Sequence, residues 1–241
     1  GFAGVGWIGR HRMEAILATG AVSAAAIADP SPAMLDEARA LAPEAAALTR
    51  FEDLLAMDLD GVVIASPSAL HAAQSSAALA SGAAVFCQKP LGRSAAETRA
   101  VVEAARRADR LLAVDLSYRH TAGMKAVRDL VTEGRLGSIH AVDLTFHNAY
   151  GPDKPWFYDL EQSGGGCVMD LGVHLVDLAL WCLPGSQVVD VHSSLFAEGR
   201  PLLGRPDRVE DHAVATITLA AGPVVRLACS WRLHAGRGAV I

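Results

Sequence analysis

Gly4-Val5-Gly6-Trp7-Ile8-Gly9 is the stretch whose reading decides the fold. It follows a short apolar run, Phe2 to Val5, that reads as the end of a strand, and it opens a helical segment from Trp7 to Thr19. A strand that turns into a helix through this spacing uses its first glycine for the tight turn. The second lets a ligand approach the backbone, and the third lets helix and strand pack closely. Free N–H groups at the helix start then point at an anion. Asp29 ends the next apolar run, Val22 to Ala28, twenty residues beyond Gly9. A carboxylate there accepts hydrogen bonds from an adenosine ribose. The pattern predicts dinucleotide binding by Gly4, Gly6, Trp7, Ile8, Gly9 and Asp29. A carboxylate repels a 2′-phosphate, and no arginine occurs in the nine residues after Asp29, so NAD is favoured over NADP.

The alternation continues outward. Ser31-Pro32 is a helix start, and Phe51 to Ala56 a short helix. Gly61 to Ala65 reads as a strand, Leu70 to Ser81 as a helix and Ala83 to Cys87 as a strand. Ser94-Ala95-Ala96-Glu97 is a capping box opening a helix to Ala108, and Leu111 to Leu116 is a further strand. Such alternation implies a parallel, doubly wound sheet, whose ligands bind beyond the C-terminal ends of the strands. Two loops at that edge carry polar groups. Ser66, Pro67, Ser68 and His71 are candidates for the nicotinamide-side ribose, although His71 reads equally as a surface residue of a first helical turn. Gln88-Lys89-Pro90 places a lysine within reach of both cofactor and substrate.

The second half differs. After a helix near Thr121 to Thr132, Ile139 to Asn148 alternates, as do Val209 to Leu219 and Val224 to Trp231, the last two joined by Ala220-Ala221-Gly222-Pro223. These read as strands of a mainly antiparallel open sheet in an α+β domain, with the boundary near Tyr118 to Thr121. Between them lies Gly164-Gly165-Gly166-Cys167-Val168-Met169-Asp170-Leu171-Gly172-Val173-His174. It sets a carboxylate and an imidazole one helical turn apart on one face, a proton-handling pair. Trp156 and Tyr158 precede that helix, and aromatic faces suit sugar rings; they serve equally to pin a long loop. His147 and Asn148 end the first strand of this sheet.

The chain has 241 residues, 51% hydrophobic, with a net charge of -5. That allows two domains with cores and speaks against nucleic acid or an anionic membrane as partner. Two aspartates and a histidine interrupt the most apolar run, Cys167 to Leu183, which is therefore not read as a membrane span. Cys87, Cys167, Cys182 and Cys229 form no CxxC, which fits a reducing cytoplasm. His11, His140, His192, His212 and His234 show no metal-ligand spacing, and no metal is assigned. Gly1 opens inside a strand and Ile241 follows no terminal helix, so the chain reads as part of a longer protein.

With Gly4-x-Gly6-x-x-Gly9, Lys89-Pro90 and Gly164-Gly165-Gly166…Asp170-x-x-x-His174 in this order, the chain resembles the Gfo/Idh/MocA oxidoreductases over essentially its whole length. The resemblance implies a Rossmann domain over 1–118 and a substrate-binding, oligomerising α/β domain over 119–241. It implies NAD(P)-dependent dehydrogenase or reductase chemistry on a sugar, inositol or related polyol, and a homodimer or homotetramer. By the same resemblance Lys89 orients the substrate hydroxyl, His174 is the general acid/base, Asp170 tunes it and helps hold the substrate, and Arg119 faces the substrate. The family motif is usually Glu-Lys-Pro, and Gln88 departs from it by dropping a charge beside Lys89. Redox-neutral use of NAD and a non-catalytic cofactor-sensing regulator are the competing readings. The intact Lys89, Asp170 and His174 oppose the second of these.

Overall fold

The computed structural model describes residues 1–204, 207–220 and 222–233. Ala221 of the predicted turn and His234 lie outside them. The chain forms two compact units, Gly1–Asp115 and Leu116–Ile241.

The first unit is a parallel sheet with helices between its strands. In chain order it runs β1 (Phe2–Ala3), α1 (Trp7–Leu17), β2 (Ala26–Ala28), α2 (Pro32–Arg39), β3 (Ala46–Leu48), α3 (Phe51–Leu55), β4 (Gly61–Ile64), α4 (Ser68–Ala80), β5 (Ala84–Cys87), α5 (Ala95–Ala108) and β6 (Leu112–Val114). The strand order is β3-β2-β1-β4-β5-β6, all neighbours parallel. This is the doubly wound order, whose crevice opens beyond β1 and β4, where the winding reverses. Cover on both faces explains the unbroken apolar runs: Val62, Ile64, Val85 and Cys87 are buried on one face, and Phe2 and Ile27 on the other. Each fully buried Val or Ile contributes about 1.5–3 kcal/mol. Ser31 and Ser94 cap α2 and α5, accepting from Met34 N–H and Glu97 N–H. The edge strand β3 carries no sequence signal, because its Ala-rich run has helical propensity. Only pairing with β2 makes it a strand.

The second unit contains α6 (Ala122–Thr132), β7 (Ala141–His147), α7 (Leu160–Ser163), α8 (Val173–Cys182), β8 (Val188–Ala197), β9 (Arg200–Pro201), β10 (His212–Leu219) and β11 (Val224–Ser230). Its sheet order is β7-β11-β10-β8-β9. β10 is antiparallel to β11 and β8, whereas β7 joins β11 in parallel, from Ala141 opposite Val224 to His147 opposite Ser230. The sheet is thus mixed and mainly antiparallel. Leu171, Leu175 and Ala179 share one core with Phe146, Ile217, Val225, Leu227 and Trp231. Leu160–Cys182 has the length and hydropathy of a membrane span, yet over half of its apolar window is buried in this core, as befits a core helix. β8 escaped the sequence reading because its residues up to Ser194 are exposed on both faces, so no alternation marks it.

The division falls between Asp115 and Leu116 rather than at 118. The 3-10 turn Ser117–His120 goes with the second unit because Tyr118 packs edge-on to Phe146, with ring centroids 5.7 Å apart.

Candidate functional site

In the first unit the three glycines have separable duties. Gly4 has φ +79°, and a Cβ there would lie 2.5 Å from the Ser66 nitrogen. A Cβ at Gly9 would lie 2.0 Å from the Gly4 carbonyl oxygen. Both are demanded by the fold itself. Gly6 is not: a Cβ there meets nothing within 4 Å. Gly6 is also the N-cap of α1 and offers no side-chain cap to the first N–H groups of the helix. Bare backbone at a helix N-terminus, unneeded for packing, is what a pyrophosphate requires. The residues therefore fit a dinucleotide. Trp7 is 69% exposed beside this opening and Ile8 is half-buried.

Asp29 is held by two backbone donors. Its Oδ2 accepts from Val5 N–H at 2.9 Å and its Oδ1 from Ser31 N–H at 2.9 Å. A carboxylate has about four acceptor sites, so two remain for a ribose diol. The carboxylate is thereby fixed to the glycine loop rather than serving merely as a helix cap, which is the work of Ser31.

The two loops at the sheet edge are tied down more than the sequence suggests. Ser66 donates its hydroxyl to Gln74 Oε1 at 2.6 Å, and Ser68 is buried. The surface reading of His71 is corrected: it is 2% exposed, because α4 turns it into the unit's interior. Lys89, half-buried, lies between two fixed neighbours. Gln88 is buried and donates through Nε2 to Asp115 Oδ2, which also accepts from Arg12 Nε. The amide at Gln88 thus has a use, because a glutamate would oppose the buried Asp115 carboxylate. Sequence reasoning missed Asp115 and Arg12, which β6 and α1 bring together from 103 positions apart.

In the second unit the glycine run is explained by a close backbone approach. A Cβ at Gly166 would sit 1.8 Å from the Glu210 carbonyl oxygen. Cys167 N–H donates to that oxygen at 2.9 Å. The buried Glu210 carboxylate accepts from Gly166 N–H and Val168 N–H, each at 2.9 Å through Oε1. Glu210 is thus a cap delivered from another strand, and a negative charge suits a helix N-terminus. Its one sequence trace is the pair Glu210-Asp211 interrupting the apolar run Val209 to Leu219.

The helix begins as a π-turn, Val168–Gly172, before α8. Asp170 therefore stands on a wider turn than an ordinary helix supplies, a device frequent at functional sites. Trp231 Nε1 donates to Asp170 Oδ2 at 3.0 Å, and Trp231 is 1% exposed. His174 is 8% exposed, with the Tyr118 ring edge-on at 4.8 Å and Phe146 at 6.3 Å. Burial, and then the Asp170 charge, push the Tyr118 phenol above its ordinary value. Tyr118 and Trp231 were not singled out from sequence. Trp231→Phe keeps the shape and removes one donor to a carboxylate, worth about 1.5–3 kcal/mol. Its expected effect is a fall in kcat of about tenfold or more with NAD affinity unchanged, read from steady-state rates and NAD titration.

The substrate candidates divide. Arg119 was expected to face substrate, but its Nε donates to Asp177 Oδ2 at 2.7 Å and its Nη2 to Asp177 Oδ1. Its fork is occupied because Asp177 lies one turn beyond His174 on α8, buried and in need of a cation. Trp156 is half-buried and stacks on Phe157 at 3.8 Å. Tyr158 donates to the Pro152 carbonyl at 3.0 Å and lies 5.4 Å from the Trp231 ring, which pins the loop. Tyr158 and Trp231 also line a cavity of about 720 Å³ together with Tyr150, Arg208 and Arg232.

Two family models account for nearly the whole chain. Residues 1–116 match the oxidoreductase family with an NAD-binding Rossmann fold, and residues 124–241 match the GFO/IDH/MocA C-terminal domain. The chain belongs to the Gfo/Idh/MocA family. Among its relatives, the 1,5-anhydro-D-fructose reductase of Ensifer adhaerens is 31% identical over 74% of this chain and 53% of its own length. The D-glucoside 3-dehydrogenase of Escherichia coli K12 is 30% identical over 83% of this chain and 61% of its own. The chain thus spans between half and two thirds of these Gfo/Idh/MocA relatives. A levoglucosan dehydrogenase solved with NADH and levoglucosan is 25% identical, with a TM-score of 0.86 over 97% of this chain and 67% of that one.

Proposed function

We propose that the protein is an NAD-dependent oxidoreductase that moves hydride between nicotinamide and a hydroxyl-bearing carbon of a sugar, inositol or related polyol. The observation that carries this reading is Gly6: bare backbone at the start of α1, with room for a ligand and no packing reason to be glycine. Relatives that act on anhydro-sugars and glucosides support the substrate class.

The bound cofactor would supply the hydride acceptor. Asp29, anchored by Val5 N–H and Ser31 N–H, holds the adenosine ribose. Lys89 stabilises the developing alkoxide electrostatically, an effect that is strong where water is excluded. His174 accepts the hydroxyl proton in its aromatic setting, and Asp170, oriented by Trp231, steadies the substrate and the charge that forms on the ring. Exposed valines on the sheet, Val189 and Val191 on β8 and Val214 on β10, support association of copies into a homodimer or homotetramer. Four buried free thiols fit a cytoplasmic protein.

The reading is tested by incubating the protein with NAD and a panel of inositols, aldoses, anhydro-sugars and sugar acids while following NADH. NADH from one stereochemical class is the expected result. Tight NAD binding with no NADH from any polyol would replace it with the redox-neutral or regulatory reading.

A further inference from the structure

His71 stands out once the first unit is searched for buried groups that the proposed chemistry leaves unused. It is 2% exposed, lies on α4, and reaches two different loops with its two ring nitrogens. Nδ1 is 2.6 Å from the Pro90 carbonyl oxygen, immediately after Lys89. Nε2 is 2.7 Å from the Ser66 carbonyl oxygen. The Ala65–Ser66 peptide lies against Gly4, one unit before the Ser66 carbonyl, so the ring links the loop that abuts the glycine turn to the lysine turn. A histidine that only filled space would not place both polar atoms on carbonyls of separate loops.

We propose that His71 is the positioning residue that sets Lys89 relative to the cofactor-side loop, one ring nitrogen holding each. This rests on the oxidoreductase reading for what Lys89 does, but the clamp itself belongs to the first unit. Gln88 secures the other flank of the same lysine through Asp115. Lys89 is therefore gripped on both sides by residues that need not touch a substrate.

Both acceptors are carbonyls, so a neutral ring donates to one of them and an imidazolium to both. Burial, and to a lesser extent the Lys89 charge, hold His71 below the ordinary histidine value, while the two carbonyls oppose the fall. Among the described residues the Lys89 charge acts on the ring, and the α4 neighbours Gln74 and Ser75 are uncharged. The second bond accordingly engages as pH drops.

Two amide substitutions separate the halves of the clamp. In His71→Asn the amide nitrogen falls near the Nδ1 position and keeps the Pro90 bond. In His71→Gln it falls near the Nε2 position and keeps the Ser66 bond. The expected result is a split. His71→Asn raises the KM for NAD by about tenfold with kcat within about threefold, and His71→Gln does the reverse, each loss being one hydrogen bond. NAD affinity, titrated without substrate, is weakened in His71→Asn and not in His71→Gln, so the clamp is judged even if no polyol is oxidised. In the wild-type protein, nitrogen-15 spectra of labelled histidine should show one slowly exchanging ring N–H at neutral pH and two at acid pH. Equal losses in both variants, a change in melting temperature alone, or a ring whose N–H exchanges as freely as a surface histidine's would overturn the proposal.

Discussion

Replacing His174 with alanine should lower kcat for the proposed polyol oxidation by about 10²–10⁴-fold, the range of a lost general base, and leave NAD affinity unchanged. The size of the effect follows from what else could take the proton. The nearest aromatic hydroxyl is Tyr118, whose ring lies edge-on to the imidazole at 4.8 Å. Burial and the Asp170 charge raise the Tyr118 pKa above its ordinary value, so the phenol stays protonated at working pH and cannot accept. Asp170 is occupied at Oδ2 by the Trp231 N–H. The imidazole, which can take a proton on a ring nitrogen, is the group suited to the task. Because His174 is 8% exposed, alanine also opens a cavity, and some thermal stability will be lost. His174→Gln fills most of that space without supplying a base, and it should show the same loss in kcat with a smaller drop in melting temperature. Retention of kcat within threefold in either variant would remove His174 from the chemistry.

The legible parts of this protein are those where one local rule suffices. Short apolar runs between helices announced β4 and β5, because a strand in a sheet covered on both sides is apolar along its length and needs no partner pattern to be recognised. The Gly4, Gly6 and Gly9 spacing was readable because Gly4 and Gly9 answer steric demands of the strand–turn–helix while Gly6 leaves the backbone bare. The Asp170 and His174 helix was visible because charged groups interrupt an otherwise apolar run. What could not be read depends on partners far away in sequence. Arg119 looks like any active-site arginine until Asp177, 58 positions on, takes its fork. Tyr158 offers a hydroxyl until the Pro152 carbonyl claims it. Glu210 would pass as a charge at a strand start, and only the fold shows it capping a helix that begins 42 residues earlier, at Val168. Edge elements fail for the same reason: β3 and the exposed part of β8 take their conformation from a neighbour rather than from their own residues.

Gly166→Ala should be among the most damaging single-methyl changes available to this chain, costing about 3 kcal/mol or more and lowering the melting temperature by roughly 6–12 °C. The added Cβ would stand 1.8 Å from the Glu210 carbonyl oxygen, with the Glu210 carbonyl carbon and nitrogen at 2.8 and 2.9 Å. All three are backbone atoms, so no rotamer change can relieve the contact. Moving the two segments apart would stretch the bonds from Gly166 N–H and Val168 N–H to the Glu210 carboxylate and from Cys167 N–H to its carbonyl. Those three bonds fix the start of the helix that carries Asp170 and His174, so kcat should fall with stability. Gly6→Ala supplies the contrast. A Cβ there meets nothing within 4 Å, and φ is -62°, which any residue adopts. Its cost in stability should stay under about 1 kcal/mol, while NAD affinity falls because the methyl enters the space a pyrophosphate needs. Thermal melts and NAD titration of the two variants side by side check both expectations. A stable Gly166→Ala would mean that the approach of Glu210 is looser than 1.8 Å implies, and an unaffected NAD affinity in Gly6→Ala would mean that the cofactor does not pass over this glycine.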